Sequence, residues 1–245
     1  MSRELTVPEP YELTLDAPGK NALSTALMRH IVDEVRSAAG RPILITGAGD
    51  TFSAGLNLKE VAGLDCPGME DFLGLLDDVI DALYGHDAPT VACVNGHAIA
   101  GGCVLAAACD VRLMSRGTIG LAELSVGVPF PPVALEIMRH AAGPAVSRLV
   151  LTAELLDPAR AQSIGLVQHV CEADVLLDSA VGQARQLARI PADVFSFSKR
   201  QLQQPARDRI AAPGGDEEAV TAMWSADRTR DAIARYLAAL RDRAR

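Results

Sequence analysis

Aromatic side chains are scarce: Phe, Trp and Tyr make up 4% of the 245 residues, with a single Trp. That argues against a stacking surface for single-stranded nucleic acid, which needs rows of rings. Positive charge is short as well. The chain holds 23 Lys and Arg against 31 Asp and Glu, a formal charge of −8. A duplex-DNA binder carries a basic face, so nucleic acid is not the expected partner. No Cys-x-x-Cys pair occurs among Cys66, Cys93, Cys103, Cys109 and Cys171. An odd set of scattered cysteines reads as reduced thiols in a cytoplasmic protein. His30, His86, His97, His140 and His169 lack the H-x-x-x-H spacing of a helical zinc site, and no metal is expected. No basic segment leads into an apolar one at the start, so no signal peptide is expected. Ala88 to Cys109 lacks charge over 22 residues, a length that can span a bilayer. Asn95-Gly96-His97 and Gly101-Gly102 interrupt it, so it reads as strand, turn, Gly-rich loop and buried helix, not as a membrane span.

What is abundant is apolar: 49% of residues are hydrophobic and 22% charged, enough for one large core. Tyr11–Leu15 reads as a strand. A turn at Ala17-Pro18-Gly19 leads to a helix capped by Asn21 or Ser24, with Leu27, Ile31, Val32 and Val35 at helical spacing. Residues 42–46 and 90–94 read as buried strands, and 110–114 as a third. Residues 69–84 carry one apolar stripe, and 101–108 form a buried helix of small residues. Strand alternating with helix implies an α/β core. From residue 132 the pattern is mainly helical, with Pro144 and Pro158 as helix starts, helices over 182–188 and 229–240, and a loop at Pro213-Gly214-Gly215-Asp216. Residues 1–190 form the α/β body and 191–245 a helical region packed on it. The charge divides near the same place: residues 1–198 carry 13 basic and 24 acidic groups, and residues 199–245 carry 10 and 7.

Familiar motifs fail. Gly47-Ala48-Gly49 lacks the third glycine of a dinucleotide fingerprint, and Gly19-Lys20 lacks the rest of a P-loop. Ser196–Lys199 fits S-x-x-K without its companion motifs, and Ala161–Gly165 resembles a nucleophile elbow only loosely. Two Gly-rich loops remain, Asp50–Lys59 and Asn95–Cys103, each after a buried strand. Loops at the carboxyl ends of such strands bind ligands in α/β proteins. On spacing alone the glycines serve tight turns and close helix packing. Two backbone N–H groups aimed at one point would instead make an oxyanion hole. Glu123 lies in the apolar stretch Thr118–Pro129. Apolar surroundings raise a carboxyl pKa and suit it to general base work, whereas an ordinary loop glutamate points to solvent. His97 reads as a packed or hydrogen-bonded turn residue, Cys103 and Cys109 as core, and Trp224 and Tyr236 as anchors of the C-terminal helices.

These segments together resemble the enoyl-CoA hydratase/isomerase (crotonase) superfamily. Phe52-Ser-Ala-Gly-Leu-Asn-Leu58 is similar to its first oxyanion segment, and Val94–Asp110 to its signature. Asn21–Ser24, Leu149–Thr152 and Gly165–Val167 agree more weakly. The resemblance implies a crotonase-like (ClpP/crotonase) spiral of ββα units with a C-terminal helical trimerisation region, and hence a homotrimer or a hexamer of paired trimers. It implies an acyl-CoA thioester substrate, with CoA as part of the substrate and no separate cofactor. It places Leu56 and Gly101 as the two oxyanion N–H donors. Ala54, Gly55, Asn57 and Leu58 would line the CoA and acyl path. Asn57 stands where the family commonly has Asp. Lys199, with Arg200, would meet CoA phosphates, within one subunit or across a subunit boundary, or else belong to an ordinary solvated helix face.

Of the two catalytic glutamates that family hydratases carry, the first falls on Val104 and the second on Glu123. The pattern is closest to the Δ3,Δ2-enoyl-CoA isomerases, which similarly keep only the second. The resemblance therefore implies a double-bond shift with Glu123 as single acid and base. A hydratase of weak or altered activity and a non-catalytic acyl-CoA binder are the alternatives.

Overall fold

The computed structural model describes residues 8–212 and 216–243. The loop expected at Pro213–Asp216 falls largely outside the described residues. Elements follow in the order β1 (Tyr11–Leu15), α1 (Pro18–Asn21), α2 (Thr25–Ser37), β2 (Ile43–Gly47), β3 (Thr51–Ser53), α3 (Leu58–Val61), α4 (Cys66–Tyr84), β4 (Thr90–Val94), β5 (His97–Ile99), α5 (Gly101–Ala107), β6 (Val111–Met114), β7 (Ile119–Gly120) and α6 (Glu123–Val126). Then come α7 (Pro132–Ala142), a 3₁₀ turn (Gly143–Ala145), α8 (Val146–Thr152), β8 (Leu155–Leu156), α9 (Pro158–Ser163), β9 (His169–Val170), α10 (Leu176–Leu187), α11 (Ala192–Ile210), α12 (Glu217–Ser225) and α13 (Asp227–Arg243).

Among the described residues the strands form two sheets. One is parallel throughout, in the order β1-β2-β4-β6-β9. The other has the order β3-β5-β7-β8, with β8 antiparallel to β7. The pairs β2–β3, β4–β5 and β6–β7 each send their first strand to the first sheet and their second to the other. Helix follows each pair, so the chain advances one strand in both sheets per ββα unit. This is the crotonase-like α/β spiral, with a C-terminal helical region packed on it.

The central strands read as unbroken apolar runs because both faces are covered. Ile43, Ile45, Ala92 and Val94 point into the main core, whereas Leu44, Val91 and Cys93 meet Leu176, Ala180 and Ala184 of α10. That is the period of two expected of a strand. The short strands β3, β5 and β7 lie inside segments that the sequence reads as loops. Two or three residues carry no period to detect.

Ser24, not Asn21, caps α2: its Oγ accepts from the Leu27 N–H at 3.2 Å. Asn21 is buried with positive φ, and its amide donates to the Thr51 and Ala48 carbonyls, pinning the turn that enters β3. Pro158 does begin α9, which Asp157 caps at the Arg160 N–H. At the other end, α11 is tied to the body by the Gln203 amide donating to the Tyr84 carbonyl at 2.6 Å. Ion pairs of Arg200 with Asp87 and Arg207 with Asp81 add to that contact. Glu136 of α7 is buried between Arg139 and Arg209. Among the described residues no helix is long and apolar enough to cross a membrane.

Candidate active site

The site forms where the loop after β3 meets the junction of β5 and α5. Leu23 makes a single parallel bridge to Leu56. Its N–H donates to the Gly55 carbonyl at 2.8 Å, and its carbonyl accepts from the Asn57 N–H at 3.0 Å. Backbone groups of an extended segment alternate sides. The Leu56 N–H therefore faces away from Leu23, toward the β5–α5 junction. Gly55 permits this approach. Its φ is +86°, and a Cβ there would lie 2.7 Å from the Ile99 carbonyl oxygen and 3.3 Å from the Gly101 nitrogen.

Gly101 opens α5, and first-turn amides have no intrahelical acceptor. Ala100 before it has φ +53° and ψ −122°, a strained conformation for a residue with a Cβ. Its N–H donates to the Gly120 carbonyl at 2.8 Å and its carbonyl accepts from the Val104 N–H at 3.1 Å, which holds the strain in place. Gly102 lets α5 press on β3, because a Cβ at that residue would lie 2.4 Å from the Ser53 carbonyl oxygen. Close packing and an amide pair beside one cavity thus come from the same glycines.

Glu123 lines the same cavity, at the start of α6. It is 7% exposed, and its Oε2 has no hydrogen-bond partner among the described residues. Burial pushes its carboxyl up from 4.5 to about 7, against a smaller opposing pull from the backbone at Glu123 and Ala122. An apolar pocket favours the neutral acid in this way. Val104, one turn beyond Gly101, lines the same cavity and is 1% exposed.

Of the residues named from sequence, Ala54, Leu56, Leu58, Gly101 and Glu123 line this one cavity, whose volume is about 60 Å³. Gly55 and Asn57 shape the backbone beside it and are not among the lining residues. Lys199 does not line this cavity, and its burial corrects the expectation of an ordinary solvated helix face. It is 7% exposed, and its Nζ donates to Asp110 Oδ2 at 2.9 Å. The Thr90 N–H and Oγ1 donate to the same oxygen. Asp110 lies past the C-terminal end of α5, on the order of 10 Å along the helix from Gly101. Lys199 instead lines a separate cavity of about 390 Å³ with Tyr84, Arg112 and His140.

Sequence reasoning missed part of the wall. Trp224, Tyr236, Leu76 and Ala134 all line the cavity. Trp224 anchors α12 as expected, its Nε1–H donating to the Pro129 carbonyl at 3.1 Å, but the same ring also closes the cavity. The single Trp of an aromatic-poor chain was the available signal. Within the Pro129–Pro132 segment, Pro131 reaches the cavity and Phe130 lines a neighbouring groove. The His97 Nδ1 accepts from the Thr118 N–H at 3.1 Å, outside the cavity. Burial raises both the Cys103 and Cys109 thiols, the latter to about 12, so neither is a nucleophile at neutral pH.

The family profile described as enoyl-CoA hydratase/isomerase matches residues 11–241. A 2,3-dehydroadipyl-CoA hydratase of Escherichia coli (strain K12) is 30% identical over 229 residues, covering 89% of this chain and 88% of that protein. A probable enoyl-CoA hydratase of Rhizobium meliloti (strain 1021) is 34% identical over 196 residues, covering 76% and 75%. Among solved structures, the human mitochondrial delta3-delta2-enoyl-CoA isomerase superposes with a TM-score of 0.89, covering 95% of this chain and 94% of that one. At 23% identity that likeness is one of fold.

Proposed function

Because the chain belongs to the enoyl-CoA hydratase/isomerase family, we propose that it shifts a Δ3 double bond to Δ2 in enoyl-CoA thioesters. The reaction needs a base that removes a proton from C2 and returns it to C4. The C2–H electron pair passes into the thioester, giving a dienolate. Its oxygen would accept hydrogen bonds from the Leu56 and Gly101 N–H groups, which act where negative charge develops. Protonation at C4 by the same carboxyl then leaves the double bond between C2 and C3. No atom is gained or lost, and no resident cofactor or metal takes part.

The observation that carries this reading is that Glu123 and Val104 line the same, largely apolar cavity. Adding water across a double bond requires activating the water and protonating carbon, a task suited to two groups. Valine supplies neither. One carboxyl held at about 7 can take and return a proton at neutral pH.

A second reading is a hydratase in which Glu123 works with water. The hydratase names of the relatives at 30% and 34% identity favour it. Turnover of trans-3-hexenoyl-CoA against hydration of crotonyl-CoA separates the two. The double-bond shift is expected to dominate, and Glu123→Gln to lower it by about 10³-fold. Efficient crotonyl-CoA hydration by the unaltered chain would favour the second reading. Thioester binding without turnover of either would favour an acyl-CoA binder.

A further inference from the structure

We infer that Trp224 is the specificity-determining wall at the acyl end of the cavity, and that the site takes thioesters whose acyl chain is short and uncharged. The inference rests on the acyl-thioester reading above. The cavity has two unlike ends. Ala54 is exposed beside the amides of Leu56 and Gly101, which marks a mouth. Trp224 is 2% exposed and lines the same cavity, and we take it as the floor. Its ring is fixed, because the Nε1–H is committed to the Pro129 carbonyl, and α12 packs against α4. The wall between the two ends is hydrocarbon from Leu76, Val104, Val128 and Ala134.

Charge narrows the choice further. Among the described residues no Lys, Arg or His lines the cavity. Among the described residues Glu123 is the one carboxyl lining it, and its Oε2 is buried without a hydrogen-bond partner there. A carboxylate at the far end of an acyl chain would enter with no cation to pair it and with a second acid nearby. Burying an unpaired charge is strongly unfavourable. A hydrocarbon chain meets mostly apolar side chains there, with Glu123 and Tyr236 as polar exceptions, until it reaches the indole.

Calorimetric titration of the unmodified chain with saturated, unreactive thioesters tests this without relying on turnover. Hexanoyl-CoA is expected to bind about tenfold tighter than CoA itself, since each buried methylene adds affinity. Adipyl-CoA, of the same chain length with a terminal carboxylate, is expected to lose that gain. Decanoyl-CoA is expected to lose it too. Trp224→Ala should restore tight decanoyl-CoA binding, while Trp224→Phe, which keeps a ring at the floor, should not. Trp224→Leu replaces the alanine variant if that one does not fold. Adipyl-CoA or decanoyl-CoA binding to the unmodified chain as tightly as hexanoyl-CoA would overturn the inference and leave the thioester reading standing. So would an unchanged length preference in the variants with a small residue at the floor. Equal binding of CoA and every acyl-CoA would overturn both.

Discussion

Glu123 shows how one side chain couples stability to chemistry. Its carboxyl is held at about 7 by burial, against 4.5 in the unfolded chain. The folded state therefore holds the proton more tightly, and stability falls as pH rises from 4.5 through about 7. The full effect is about 3 kcal/mol. Glu123→Gln carries no charge to bury, so its stability relative to the parent should grow by about 2 kcal/mol between pH 5 and pH 8, read from urea unfolding at the two values. On the proposed mechanism the same ionisation sets the rate. As a base in the free enzyme, Glu123 should make kcat/KM rise with pH through about 7. A flat profile from pH 5 to 9 would mean that another group carries the proton. That Glu123, Leu56 and Gly101 would come together was legible in the sequence because each sits in a motif. Lys199 was not, because nothing local announces that Asp110, 89 residues away, will bind it.

At the scale of elements, the site depends on how closely α5 approaches β3. Gly102→Ala would place a methyl 2.4 Å from the Ser53 backbone oxygen, so the helix must move. The expected cost is about 1–3 kcal/mol of stability by chemical unfolding. Because Gly101 moves with its neighbour, kcat should fall by about 10²-fold, more than KM rises. The long elements were readable from the sequence: α4 and β4 carry enough residues for a period or an unbroken apolar run. The strands β3, β5 and β7 were not, because their pairing partners lie in other ββα units and their lengths are two or three residues. The glycines between the paired strands were visible, and what they allow appears only once the second sheet is assembled.

Across the whole molecule, the C-terminal helices do two jobs. Helices α12 and α13 bring Trp224 and Tyr236 to the cavity, whereas α11 binds the body through Lys199 and Gln203. The two roles predict different mutant phenotypes. Lys199→Met leaves Asp110 with only the Thr90 donors and should cost about 2 kcal/mol of stability, with KM for acyl-CoA unchanged. A raised KM at unchanged stability would return Lys199 to the binding surface. Composition disclosed one large core. That the C-terminal helical region would help build the cavity depends on α12 packing on α4, a contact between distant parts of the chain.

The central claim is that one shielded carboxyl carries a proton from C2 to C4 and adds no water. The direct measurement is turnover of trans-3-hexenoyl-CoA deuterated at both C2 positions, with the product read by mass spectrometry and NMR. The account predicts trans-2-hexenoyl-CoA with part of the deuterium relocated to C4. A 3-hydroxyacyl-CoA as the main product, or a C4 hydrogen drawn entirely from solvent, would contradict it.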